Sequence, residues 1–285
     1  MANSTPIRHP EMYQPGLNAS VVETVSAWFA QGRVSKAIVI GELALSYTAS
    51  ETSTHASQSI RLENFPVLEK VAPNPNFITQ IPSKAGEYSI NISLIPRTTV
   101  AFKYQVHVDE GNLAAHAPMV LTPTWKVESA QTSVMLNYAF NPAFASPTGR
   151  SVLLKNVVIL ITLENSKASA CQSRPVGTFS KEKSMIYWKV GDITLDGYAE
   201  APHKLLARFS TESEAKPGNV EVRWEISGDS AAGLGSGLGL SQVAAAKEEG
   251  GSDPFADEGT MTTPAGAWKE VPLLRKVVSG KYIAN

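Results

Sequence analysis

Apolar and polar residues alternate along most of this 285-residue chain. In VEVRWEIS, residues 220–227, every apolar side chain is followed by a polar one, which is typical of a strand with one buried face. The same period of two recurs in ten or more segments, and Gln31 and Gly32 between two of them predict a hairpin turn. The pattern predicts an antiparallel all-β protein in which Trp188 and Trp224 belong to the core.

One long tract breaks this alternation. Residues 228–265 are rich in Gly, Ala, Ser and acidic residues, and they hold too few apolar side chains to offset the entropy of ordering. We therefore expect a flexible loop here, with residues 240–249 as the only candidate helix of the chain. Asp253, Pro254 and Phe255 form a turn-forming tripeptide that would present its ring as a linear motif for another protein. The alternative is an ordinary turn whose ring caps a nearby strand.

Composition and charge narrow the possible classes of protein. The apolar content of 43% is normal for a globular protein, and no apolar run approaches the roughly twenty residues of a membrane helix. The formal net charge of −1 gives no sign of a nucleic-acid partner. Cys171 is the only cysteine, so no internal disulfide can form, and a reducing compartment fits.

Positive charge is concentrated in one part of the sequence. Between residues 141 and 190 there are seven basic residues and two acidic ones. Within this segment Arg174, Lys181, Lys183 and Lys189 are candidates for a patch that binds an acidic peptide or a phosphoinositide headgroup. The alternative is that these charges are spread over both faces of several strands.

The sequence indicates no enzyme, no cofactor and no metal site. The glycine-rich residues 233–239 lack the Lys-Ser/Thr ending and the βαβ setting of a phosphate-binding loop. His107 and Asp109 could share one face of a strand, but no third ligand lies at a familiar spacing. Cys171 has no recognisable His or Asn partner pattern, and no Gly-x-Ser-x-Gly motif is present.

Three segments, in order along the chain, resemble a mu-homology domain, the cargo-binding module of clathrin-adaptor medium subunits, stonins and muniscins. They are Val22-Glu23-Thr24-Val25 with the following turn and Gly41, then Trp188-Lys189 after the basic loop, and then Ser279-Gly280 with Tyr282. The opening and closing segments are most similar to those of fungal muniscins, the F-BAR/FCHo-type endocytic adaptor proteins.

The resemblance implies an elongated all-β fold of two antiparallel β-sandwich-like subdomains, the second inserted in the first. On this chain, subdomain A would comprise residues 15–100 and 226–285, including the flexible loop at about 228–265. Subdomain B would comprise residues 101–225. Ser20 stands where adaptor medium subunits carry an acid that holds a cargo tyrosine, so we do not expect this chain to bind tyrosine signals there.

The function implied by the resemblance is that of a non-enzymatic endocytic adaptor at early clathrin-coated sites. Its expected partners are EH-domain scaffold proteins, transmembrane cargo tails and a clathrin adaptor complex, and the basic segment adds a phosphoinositide membrane surface. The expected location is cytoplasmic, peripheral at the plasma membrane, in the cell cortex and coated pits. The alternatives are the mu domain of another vesicle-coat adaptor, of stonin or medium-subunit type, and an all-β carbohydrate-binding module or jelly-roll enzyme.

Overall fold

The computed structural model describes residues 8–49, 56–145, 149–244 and 266–285. Within these ranges the chain forms eighteen strands and four short 3-10 helices, which confirms the all-β prediction. The strands are β1 Gly16–Ala30, β2 Arg33–Thr48, β3 Ser57–Glu63, β4 Leu68–Pro73, β5 Ile78–Gln80, β6 Glu87–Asn91, β7 Thr99–Val106, β8 Met119–Glu128, β9 Gln131–Phe140, β10 Ser151–Glu164, β11 Ala168–Arg174, β12 Thr178–Ser180, β13 Met185–Asp196, β14 His203–Thr211, β15 Lys216–Ser227, β16 Gly239–Val243, β17 Trp268–Glu270 and β18 Leu273–Ala284. The 3-10 helices are Phe65–Val67, Ile92–Leu94, Glu110–His116 and Gly228–Ala231.

The strands form three sheets. The largest has nine strands in the order β12-β13-β10-β15-β18-β1-β2-β7-β4. A four-stranded sheet, β11-β14-β9-β8, and a five-stranded sheet, β17-β16-β3-β6-β5, complete the fold. Neighbours in these sheets are antiparallel except β1 and β18, which run parallel, so the first and last strands lie side by side near the middle of the large sheet.

The β1–β2 hairpin follows the predicted pattern closely. Gln31 and Gly32 both have positive φ, 51° and 74°, as a two-residue turn that matches the twist of its strands requires. The turn sets a register in which Val25 is opposite Val39, and both side chains are buried. Because the side-chain period of a strand is two, this register puts every second residue of both strands on the inner face.

The inner face of the nine-stranded sheet packs against both smaller sheets. On one side the rings of Tyr88 in β6 and Phe102 in β7 meet edge to face, with centroids 4.9 Å apart. On the other side the backbone N–H of Met119 in β8 donates to the Tyr282 hydroxyl of β18 at 3.1 Å. Trp188 and Trp224 are 4% and 3% exposed, so the prediction that both are core residues is confirmed.

The predicted division into two subdomains crosses the nine-stranded sheet. Strands β10, β13 and β15, from the proposed inserted part, are in one sheet with β1, β2 and β18 of the other part. The five-stranded sheet takes its strands only from residues 57–91 and 239–270, and the four-stranded sheet only from residues 119–211. The boundaries of subdomains A and B therefore stay a prediction about folding units.

The prediction of a flexible loop from about residue 228 is wrong for residues 228–244. This segment is folded, and Leu234, Leu238 and Leu240 are at most 2% exposed. Positive φ angles at the interspersed glycines turn the backbone so that these leucines reach the core. Residues 240–243 belong to β16 and are not helical. Residues 245–265 lie outside the described part of the chain.

Across the part of the chain that the structure describes, no helix has the length and apolar character needed to cross a bilayer.

Candidate functional site

The four predicted basic residues are exposed but lie on different elements. Arg174 ends β11 in the four-stranded sheet, whereas Lys181 and Lys183 share the turn between β12 and β13. Lys189 is on β13 and points away from its buried neighbour Trp188. No ion pair within the described ranges involves any of the four, so their charges are free to meet an anion. Whether all four form one binding surface stays a prediction.

The loop that follows Arg174 is held in place by two hydrogen bonds. The Trp188 indole N–H donates to the carbonyl of Pro175 at 2.9 Å, and the backbone N–H of Gly177 donates to Ser173 Oγ at 2.8 Å. Between these anchors Val176 is 92% exposed. A fixed loop that presents an apolar side chain close to Arg174 suits peptide contact, because little conformational entropy is lost on binding.

A groove opens along one edge of β2. Strand β7 pairs with β2 only from Ile40 onward, so residues 33–39 have β1 as their single strand neighbour in the described structure. Beyond Val106 the chain turns toward the 3-10 helix Phe65–Val67 that precedes β4, and the His107 N–H donates to the carbonyl of Val67 at 2.9 Å. The gap is a cavity of about 490 Å³ with Ser35–Ile38 along one wall. We call it the β2 groove.

A buried carboxylate ties the folded segment 228–244 to the large sheet. Glu23 on the inner face of β1 is fully buried, and its carboxylate accepts a hydrogen bond from the Tyr104 hydroxyl at 2.8 Å. It also accepts from the backbone N–H of Ser236 at 2.9 Å and from the Ser236 hydroxyl. The Arg275 guanidinium lies 3.9 Å away and donates to the carbonyl of Leu238. Burial, with the nearby Glu23 charge, raises the pKa of Tyr104.

Residues 8–14 cross the outer face of β1 and β2. His9 Nδ1 lies 3.1 Å from Ser20 Oγ, and the Ser46 hydroxyl donates to the carbonyl of Met12 at 2.9 Å. Burial lowers the pKa of His9, and the Glu42 carboxylate opposes this shift. Ser20 is only 2% exposed as a result, so the position that resembles the tyrosine-signal site of adaptor medium subunits is closed by the chain itself.

Two other predictions concerned a possible metal pair that includes Asp109 and the tripeptide at residues 253–255. The Asp109 carboxylate accepts a hydrogen bond from the N–H of Gly111 at 2.9 Å and so caps the 3-10 helix that follows. No group of His, Cys, Asp and Glu suited to a metal ion occurs among the described residues. Asp253, Pro254 and Phe255 lie outside the described ranges.

The comparison with family models decides the identity of the fold. A model described as "Muniscin C-terminal mu homology domain" matches residues 15–285. The chain belongs to the muniscin family. The resemblance inferred from the sequence is therefore confirmed, and this match favours the muniscin interpretation over a carbohydrate-binding module or a jelly-roll enzyme.

Curated relatives of this muniscin domain are much longer than the chain. "Suppressor of yeast profilin deletion" from Saccharomyces cerevisiae is 29% identical over 279 residues, covering 94% of this chain and 30% of that protein. Human "F-BAR domain only protein 2" is 22% identical over 255 residues, covering 79% and 31%. The chain thus spans less than a third of the length of these relatives.

Two solved structures share the fold of this muniscin domain. The "Fcho1 Mu homology domain" of Danio rerio, solved with a bound Eps15 peptide, superposes with a TM-score of 0.65 at 20% identity, covering 95% of this chain and 97% of that one. The yeast delta-COP-I mu-homology domain superposes with a TM-score of 0.58 at 14% identity, covering 95% and 98%. These likenesses establish the mu-homology fold.

Neither the hydrogen-bonded cluster around Glu23 nor the β2 groove was predicted from the sequence. A signal for the first was present, since Glu23 falls in phase with the buried Val21 and Val25 on β1. An acid at an inward position predicts a buried polar network. The groove leaves no such signal, because it depends on where β7 diverges from β2.

Proposed function

We propose that this muniscin domain is a non-enzymatic adaptor module that binds short peptides of endocytic scaffold proteins and transmembrane cargo tails at early clathrin-coated sites. The observation that carries this proposal is the mu-homology fold shared with the Fcho1 domain, whose solved structure holds an Eps15 peptide. The proposed partners are EH-domain scaffold proteins and a clathrin adaptor complex. The proposed location is the cytoplasmic face of the plasma membrane.

The exposed cations Arg174, Lys181, Lys183 and Lys189 are the proposed contact for the acidic part of such a partner. They carry no ion pairs within the described structure, and the exposed apolar Val176 lies two residues after Arg174 on a loop that hydrogen bonds hold in place. Cations at the rim of an interface mainly raise the association rate and fix the choice of partner. The same cations would also suit a phosphoinositide headgroup.

Isothermal titration of the chain with the Eps15 peptide tests the proposal. We expect measurable binding that weakens as salt is raised, because screening removes the contribution of exposed charges. The double variant K181E/K183E should weaken binding, whereas charge reversal at the exposed Arg33, the first residue of β2, should not. Failure of the wild-type chain to bind this peptide at low salt would contradict the proposed function.

The same titration with vesicles that contain a phosphoinositide, in place of the peptide, distinguishes a membrane ligand from an acidic peptide ligand. If the chain binds the vesicles but not the peptide, the basic residues act at the membrane and the scaffold-binding role is wrong. If it binds the peptide alone, the phosphoinositide part is wrong.

A further inference from the structure

The first part of strand β2 extends beyond its neighbour β7. On the side that faces β7, this part of β2 has no pairing strand within the described structure. Ser35–Ile38 line the β2 groove with this edge. No backbone hydrogen bond to another element reaches the β7-facing side of these four residues within the described structure. A free strand edge is a template for the main chain of an extended peptide.

The free edge of β2 is long enough for a short added strand. Four residues of strand extend over roughly 13 Å, since each adds about 3.3 Å. The cavity of about 490 Å³ falls in the size range of ligand sites. The opposite wall supplies the half-buried Val108 and Leu113, which could receive alternate side chains of a bound strand.

Two other sheet edges are less suited to pairing. Strand β8, at the edge of the four-stranded sheet, carries Pro123 within its length, and a proline cannot donate to a ladder. Strand β4, at the edge of the nine-stranded sheet, ends in Pro73. Residues 33–38 of β2 contain no proline.

The charges around the groove favour a basic ligand. Glu69 and Glu110 are exposed on the wall opposite β2, and no ion pair involves Glu110 in the described structure. Glu69 accepts from the Gln105 amide at 2.8 Å and lies 3.8 Å from the exposed ammonium of Lys70. The Lys36 ammonium lies over the ring of Trp28, 5.1 Å from its centroid, on the outer face of β1 and β2.

We propose that the unpaired edge of β2 at Ser35–Ile38 binds an extended basic segment of a partner protein as an added strand, with cationic side chains meeting Glu69 and Glu110. The β2 groove is formed by other residues than the basic contact of the proposed function. It binds ligands of the opposite charge, so the two proposals can fail separately.

The probe is an end-capped hexapeptide, Lys-Val-Lys-Val-Lys-Val, titrated into the isotopically labelled chain at low salt. We expect amide shifts in Ser35–Ile38 and a loss of affinity of at least tenfold in the double variant E69K/E110K. The matched control is E212K, which reverses an exposed glutamate on another part of the surface and should leave affinity unchanged. The acidic hexapeptide Glu-Val-Glu-Val-Glu-Val should not bind.

Methylation of the probe's backbone nitrogens tests strand pairing without changing the protein. The backbone N–H groups of an added strand point toward β2 only at alternate residues. Methylation of these nitrogens should abolish binding, and methylation of the intervening ones should be tolerated. Equal effects at all positions would overturn the strand-addition proposal. Equal affinity for the acidic hexapeptide, no effect of E69K/E110K, or amide shifts confined to other regions would overturn it as well.

Discussion

Removal of the Glu23 carboxylate should destabilise the whole domain. In E23A the Tyr104 hydroxyl, the N–H and hydroxyl of Ser236, and the Arg275 guanidinium all lose a buried acceptor or counter-charge. Tyr104 and Ser236 are 5% and 4% exposed, so water cannot easily replace the carboxylate. The Arg275 side chain, 9% exposed, would keep an uncompensated charge.

The size of the effect follows from this arrangement. Removal of one partner of a buried ion pair lowers the free energy of unfolding by about 3–5 kcal/mol. Unfolding entropy of about 2.1 cal/mol/K per residue amounts to about 0.6 kcal/mol/K for this chain, so Tm should fall by about 5–8 °C. The matched control is E221A, whose partner Arg223 lies at 3.3 Å on the surface. An exposed pair of this kind contributes only about 0–1 kcal/mol.

Thermal unfolding, monitored by circular dichroism, measures the difference in Tm between E23A and E221A. Limited proteolysis would show in addition whether the Ser236 segment detaches from the sheet before the rest unfolds, as we expect if Glu23 is its main anchor. A Tm of E23A within 1 °C of that of E221A would show that the Glu23 network does not stabilise the fold, and the reasoning would be refuted.

Three further predictions follow from buried groups. W188A and W224A should each lose about 3–5 kcal/mol of unfolding free energy in urea titration, and a loss below 1 kcal/mol would contradict their assigned core positions. G41A and G235A should each be destabilised by at least about 1–3 kcal/mol, because a Cβ at Gly41 would overlap the Tyr104 ring and one at Gly235 would overlap the Glu23 carboxylate; G111A, with only ordinary contacts, is the control. Burial lowers the pKa of His9 and His116, so stability should be complete above about pH 6.5 and fall as the pH drops through their lowered pKa values. Calorimetry at a series of pH values should show that the Tm of H9N/H116N depends less on pH than that of the wild type, whereas H107N should behave as the wild type does. An unchanged pH dependence of Tm in the double variant would contradict the prediction.

Local periodicity was sufficient to predict the β1–β2 hairpin and the buried faces of β13 and β15, but not β16, which lies in the tract that was expected to be flexible. The phases of Trp188 and Trp224, and the turn at Gln31 and Gly32, depend only on neighbouring residues and on backbone sterics. The sheet order could not be obtained in this way, because β1 pairs with β18 more than two hundred residues later in the sequence. Nothing in either strand specifies that partner or the parallel direction.

The segment 228–244 shows why composition alone misled the prediction. Its average apolar content is low, but Leu234, Leu238 and Leu240 are spaced by glycines whose left-handed backbone brings them all to the core. Averaging over the tract hides this spacing. The basic residues show a different limit, since their exposure was predictable but their positions on two separate sheets were not.

The position of β18 between β15 and β1 has a consequence for synthesis of the chain. Until β18 has left the ribosome, the nine-stranded sheet lacks a central strand, and the edges of β15 and β1 that face it have no partner. Such edges are prone to pair with other chains. We expect the large sheet to be completed only after β18 has been synthesised, and the nascent chain to be prone to aggregation until then.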